Sequence, residues 1–240
     1  MHITKEETYE CLGRFLPEIR SGAGIPLETM IVNEPWRLGE DDDHDKIMFS
    51  EHGIIHIYPE KDYSPLYVNT EKSVLHELGH RAIEAINPKF YAGLHTQAGY
   101  DLDNDGLIKT IAQITINTLN GKVFVPHALQ EGLAEYFSLE IFPKLCSLSD
   151  FGRSFIEDAR INAQKGIFIR PNKYFSSEEK LIAKSYKFFN RMYTVDGLDG
   201  KYGIKEYIKN APNYKLPRGD DWDAPLLYLK EQGSKTCKTI

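Results

Sequence analysis

A chain of 240 residues, 41% of them hydrophobic and 12% aromatic, holds enough apolar material for one large packed domain or two small ones, which excludes a disordered polypeptide. Its net charge of −6, with no cluster of Lys and Arg, argues against a nucleic-acid surface, and no apolar run approaches the ~20 residues needed to span a bilayer. Three widely spaced cysteines, Cys11, Cys146 and Cys237, do not suggest a disulfide framework. The N-terminus, MHITKEETYECLGRF, has no basic stretch followed by an apolar one, so a cytoplasmic protein is the default expectation, with export by another route left open.

Taken in chain order, Tyr9, Leu12, Phe15, Leu16 and Ile19 recur at helical spacing and predict an amphipathic helix over 4–20, broken by Ser21-Gly22-Ala23-Gly24-Ile25-Pro26. Residues 27–32 read as a short strand. The run Glu40-Asp41-Asp42-Asp43-His44-Asp45 reads as a solvated loop rather than a metal site. Residues 46–49 and 53–58 predict two strands, with Ser50-Glu51-His52 turning between them. The second of these stands immediately before the next helix, where such a strand can offer its edge to an extended peptide. His52 and His56 read as structural or surface residues. After a loop at 59–66, Asn69 or Thr70 can cap a helix that Asn87-Pro88 stops beyond Ile86.

That helix carries His76-Glu77-Leu78-Gly79-His80. Two imidazoles four positions apart point to the same side of a helix and can occupy two corners of a tetrahedral Zn²⁺. Glu77, beside the first histidine, can reach a metal-bound water without ligating the metal, as a general base does. Val74, Leu75, Leu78, Ala82, Ile83 and Ile86 recur at helical spacing and place the helix in the core, where buried histidines and a carboxylate need partners. Gly79 is a poor helix residue, costing about 1 kcal/mol relative to Ala, so close approach by another backbone or room for substrate is expected there.

Residues 90–106 look irregular. Within them Asp101, Asp103 and Asp105 place oxygens at alternate positions, as in the first half of a Ca²⁺ loop, but the twelfth position is Ala112 instead of a bidentate glutamate, and a capped turn is the better reading. A helix is expected over 107–119, ended by Asn120-Gly121. The next helix, from His127 to about Ile141, sets Glu131 and Glu135 one turn apart, with Leu129, Leu133, Tyr136 and Phe137 covering much of the rest, so the carboxylate pair should point inward. Residues 150–165 and 176–192 look helical, with Ser149 and Ser176 as N-caps. The stretch from 211 to 240, rich in Pro, Gly and Asp, reads as a wrapping tail, and its Arg218-Gly219-Asp220 tripeptide is given no function.

A catalytic zinc needs a third protein ligand and an open position. A third histidine in the pattern HExxHxxGxxH is ruled out, because positions 83 and 86 are Ile83 and Ile86. Glu131 is the best candidate, and Glu135 can then hydrogen-bond the far nitrogen of His76.

HELGH followed by QEGLAEYF resembles the gluzincin zinc metallopeptidases of the broad peptidase-MA-like group, whose two active-site helices carry HExxH and a downstream E-x-x-x-(D/E). The resemblance implies His76, His80 and Glu131 as zinc ligands, Glu77 as base and Glu135 as the carboxylate behind a ligand. Residues 183–189 and 202–207 are similar to the "Tyr…Phe…Leu…Tyr-Gly" helix of such proteins and the helix after it. In related aminopeptidases a tyrosine at the start of that helix stabilises the oxyanion. Tyr186 matches it in position, with Tyr193 as fallback, while Tyr186 reads equally well as a core aromatic.

The resemblance covers about residues 45–210, specifically in the two helices and loosely elsewhere. It implies an α+β, zincin-like fold: a small, mostly antiparallel sheet with an edge strand before the active-site helix, then a mainly helical C-terminal part, all in one domain over 1–210 with 90–125 as an insertion that shapes or gates the cleft. The activity it implies is zinc-dependent peptide-bond hydrolysis on a peptide or protein substrate, with Glu77 activating a zinc-bound water. The aminopeptidase sequence Gly-x-Met-Glu-Asn is absent, which favours an endopeptidase. Two alternatives remain: a regulatory or toxin-like protease dedicated to one protein target, and a non-catalytic zinc-stabilised binding module.

Overall fold

The structure is a computed structural model that describes residues 3–33, 48–51, 53–57, 68–91, 125–167, 197–200 and 203–210, with separate positions between 182 and 193. The readings made above at 40–45, at Asp101, Asp103 and Asp105, over 107–119, at Ser176 and over 211–240 lie outside the described residues. Helix and strand are mixed, and helix predominates.

The first helix, α1, runs Lys5–Ala23, three residues past the predicted end. Ser21 and Gly22 continue it to Gly24, whose left-handed φ of 59° lets its N–H close on Arg20. At the other end the Thr4 side chain accepts from the Glu7 N–H. Cys11, Leu12, Phe15, Leu16 and Ile19 are buried as the periodicity requires. Tyr9 instead stands 43% exposed, and its hydroxyl accepts from the Val32 N–H at 3.1 Å, which ties α1 to the first strand.

Three short strands follow: β1 Ile31–Asn33, β2 Met48–Glu51 and β3 Ile54–Ile57. Their order is β1-β3-β2. β2 and β3 form an antiparallel hairpin that turns at Gly53, whose φ is 80°. β1 pairs with β3 in parallel. Two expectations are corrected here. The sheet is not mostly antiparallel, since one of its two pairings is parallel. β3, expected to be a free edge ahead of the active-site helix, is the central strand with both edges occupied. The physical reason lies in its composition: Ile54, Ile55 and Ile57 form a nearly continuous β-branched run, with Ile55 and Ile57 fully buried, as suits a strand with neighbours on both sides. Ile31 on β1 is 61% exposed, as suits an edge.

The helix α2, Thr70–Ile86, is the element on which the others converge: α1, β2 and every later helix named below pack on it. Asn69 caps it, its side chain accepting from the Lys72 N–H at 2.9 Å. Asn87 ends it and starts the next turn, accepting from the Phe90 N–H at 3.1 Å, while its amide donates to Ile208 O at 2.8 Å. Val74, Leu75, Leu78, Ala82 and Ile83 are fully buried, and each larger side chain among them contributes about 1.5–3 kcal/mol by leaving water.

The N-terminal turn of α2 is pinned by a buried carboxylate. Glu71 accepts from Arg14 of α1 at 2.7 Å and from the Ser149 hydroxyl at 2.8 Å. Ser149 is in turn the N-cap of the helix Asp150–Lys165.

Beyond α2, helix α3 runs Val125–Tyr136 and widens into a π-helical turn, Phe137–Ile141, then a 3₁₀ turn, Phe142–Lys144. Helix α4 spans Asp150–Lys165, with the predicted Ser149 cap, and α5 spans Ile204–Asn210. The described positions between 182 and 193 are helical. No helix among the described residues is long and apolar enough to cross a membrane.

Candidate metal centre

Two close backbone approaches set α3 in place. A Cβ built on Gly79 of α2 would stand 2.9 Å from the carbonyl oxygen and 3.0 Å from the Cα of Ala134. This is the backbone approach expected from the glycine. On the other side of α3, a Cβ on Gly132 would meet the Ser185 side chain at 2.4 Å and the Tyr186 backbone nitrogen at 2.9 Å. Helix α3 is therefore gripped between α2 and the segment around Ser185, and its inner face cannot avoid the histidines.

The facing stripes are Lys72, His76 and His80 on α2, one turn apart, and Glu131 and Glu135 on α3. His76 Nε2 and His80 Nε2 lie 3.2 Å apart, with their ring planes at 85° to one another. The Glu131 carboxylate straddles them, Oε2 at 3.3 Å from His76 Nε2 and Oε1 at 3.4 Å from His80 Nε2.

These separations test whether the residues suit a metal. Tetrahedral coordination with metal–ligand bonds near 2.05 Å places neighbouring ligand atoms about 3.3 Å apart, close to the 3.2 Å between the imidazole nitrogens and the 3.3 and 3.4 Å from each to one of the two Glu131 oxygens. Two imidazole nitrogens and a carboxylate are also the hard-to-borderline donor set that zinc accepts. Among the described residues, His76, His80 and Glu131 are the group that could hold a metal ion, with all three ligand atoms within 4.8 Å of one another. The residues fit.

Each of the two histidines has a partner behind it. His76 Nδ1 sits 3.2 Å from Glu135 Oε1 but off the line of a well-formed hydrogen bond, so the contact is one of charge with the hydrogen bond not closed. The same oxygen accepts from Lys72 Nζ at 2.7 Å. The side-chain nitrogen of the buried Gln130 is 3.3 Å from His80 Nδ1. Metal ligation through Nε2 leaves the proton on Nδ1, which requires the amide oxygen on that side, and the two amide ends have nearly the same shape.

Burial alone would lower the His76 pKa. The charge of Glu135, then the contact with the Glu131 carboxylate, outweigh burial, and the imidazole is pushed up to about 9. Burial would conversely raise Glu135, but the charges of Lys72 and His76 hold it well below the carboxylate range.

Glu77, the expected base, lies beside the ligands on α2 and is only 5% exposed. Among the described residues its carboxylate has no hydrogen-bond or ion-pair partner. Tyr91 stands within electrostatic reach of it: burial first, then the charges of Glu84 and Glu77, push its hydroxyl well above the ordinary value.

Tyr186 reads in the sequence equally as an oxyanion residue and as a core aromatic. Tyr186 is fully buried, and its hydroxyl donates to Glu140 Oε1 at 2.6 Å, in the π-helical turn beyond Glu135. Its place is that of a core aromatic, the other reading given above. Tyr193 belongs to an aromatic cluster with Tyr136, Phe189 and Tyr207.

The structure thus brings together His76, Glu77, His80, Glu131 and Glu135, and adds Lys72, Gln130 and Tyr91. Of these additions only Lys72 carried a usable signal, since it extends the His76–His80 stripe by one more turn. Comparison with protein-family models, with curated proteins and with solved structures finds no match to this chain.

Proposed function

We propose that the protein is a zinc-dependent peptidase of the gluzincin kind, acting on a peptide or protein substrate as an endopeptidase. The observation that carries this reading is the convergence of His76 Nε2, His80 Nε2 and the Glu131 carboxylate, with the Glu77 carboxylate, which has no partner among the described residues, next to them on the same helix. A zinc ion held by His76, His80 and Glu131 supplies Lewis acidity towards water and towards a substrate carbonyl.

The chain's own residues do the rest. Glu77 takes a proton from the attacking water and returns it to the departing amine nitrogen, so one carboxylate serves as base and then as acid. Glu135 and Gln130 fix the two imidazoles from behind. A purely structural metal site closes its fourth position with a protein ligand and has no use for a glutamate such as Glu77 beside it, which weighs against the non-catalytic module.

The zincin-like reading of the fold rests on the helix pair. The sheet departs from that plan, because β3 is closed on both sides. An extended substrate that adds as a strand must use β1 or β2, and β2 is the one that packs on α2.

The test is Glu77→Gln, which keeps shape and removes basicity. Zinc content by elemental analysis should match wild type, while hydrolysis of casein or of a proteome extract disappears. A Glu77→Gln protein that still cleaves would overturn the assignment.

A further inference from the structure

Lys72 is only 19% exposed at its side chain, an uncommon state for lysine without a charged partner. That partner is Glu135, and the oxygen it holds at 2.7 Å is the one that faces His76 Nδ1 at 3.2 Å. The other Glu135 oxygen has only a long contact, 3.4 Å, with the Ser138 hydroxyl. Lys72 is therefore the strongest restraint on where the carboxylate stands.

The nearby arginines are engaged elsewhere, Arg81 with Glu84 and Arg14 with Glu71. Among the described residues Lys72 is the lysine or arginine that pairs with Glu135, and truncating it takes away the cation that holds this carboxylate.

We propose that Lys72 is a positioning residue of the metal centre: its ammonium holds the Glu135 carboxylate beside His76 Nδ1. This rests on the metal-centre reading above. It assigns Lys72 no contact with substrate and no part in proton transfer.

The experiment measures the zinc dissociation constant of the full chain, stripped of metal, by competition with a chromogenic chelator at neutral pH, together with the melting temperature of each metal-free variant. Lys72→Met should weaken zinc binding roughly tenfold, at the low end of what loss of a partner behind a ligand costs. Lys72→Arg, which keeps charge and reach, should restore most of the affinity. In a Glu135→Gln background Lys72→Met should add nothing, because the group it positions is gone. Should Lys72→Met fail to fold, Lys72→Gln is read by the same measures.

The proposal is overturned if the lysine variant binds zinc like wild type, if arginine rescues nothing, or if the two substitutions weaken binding independently. Wild type that takes up no zinc would overturn the metal centre itself. Wild type that binds zinc, with an indifferent Lys72 variant, would remove only the role given to Lys72.

Discussion

Gly79 and Ala134 meet backbone to backbone, so near that a methyl group on Gly79 would stand 2.9 Å from the Ala134 carbonyl oxygen. That contact sets the distance between the helix that carries the histidines and the helix that carries Glu131. Gly79→Ala should gain about 1 kcal/mol of helix propensity and lose about 1–3 kcal/mol to overpacking, so the net effect is destabilising. The helices must part by a few tenths of an ångström. Zinc affinity should therefore fall along with the denaturation midpoint. A Gly79→Ala protein that is more stable and binds zinc unchanged would show that the close crossing does not set the site.

The protonation of His76 makes zinc uptake pH-dependent well above the usual histidine range. Its folded pKa, about 9, lies above the ordinary 6.5. The stability it contributes to the metal-free protein is complete below pH 6.5 and lost as pH rises through about 9. A metal ligand must be deprotonated, so between these values zinc has to displace a proton from His76. Calorimetry in buffers of different ionisation enthalpy should show about one proton released per zinc in that window, with affinity climbing until pH 9 is approached. Proton-independent uptake at pH 7 to 8 would contradict the arrangement of Glu135 and Glu131 around the ring.

The parts of this structure legible in the sequence are those governed by local periodicity. The stripe Val74, Leu75, Leu78, Ala82, Ile83 put α2 in the core, Asn69 and Asn87 marked its ends, and Glu131 and Glu135 at one-turn spacing pointed inward. The sheet was less legible, because whether β3 is an edge depends on β1, a three-residue strand distant in sequence that pairs in parallel. Lys72 was not singled out, since a lysine in the first turn of a helix reads as solvated until Glu135 is seen opposite. The two readings of Tyr186 could not be separated in the sequence for a related reason: the π-helical turn at Phe137–Ile141 brings Glu140 under its hydroxyl, and no residue type announces such a turn.

Loss of one ligand should separate metal binding from chemistry. At free zinc about one hundred times the dissociation constant, binding stabilises the folded state by about 2.7 kcal/mol. For a chain of this size that raises the melting temperature by roughly 5–10 °C. Chelation should reverse the shift in wild type and in Glu77→Gln. Glu131→Ala removes the third ligand and leaves two histidines, so its melting temperature should no longer respond to zinc. A zinc response equal to that of wild type in Glu131→Ala would mean that Glu131 is not a ligand.

Tyr186 offers the sharpest separation of stability from activity. Its hydroxyl donates to Glu140 Oε1 at 2.6 Å, and the other Glu140 oxygen lies 4.0 Å from Arg160. Burial, then the hydrogen bond to Glu140, hold the phenol protonated far above its ordinary range, which keeps it a donor at every working pH. Tyr186→Phe keeps the ring and leaves a buried carboxylate oxygen without its donor, at a cost of about 1–3 kcal/mol. Chemical denaturation should register that loss, while kcat/KM for a peptide substrate stays at the wild-type value because the hydroxyl is spent on Glu140. The opposite pattern, full stability with a fall in kcat, would return Tyr186 to the chemistry and require it to leave Glu140 when substrate binds.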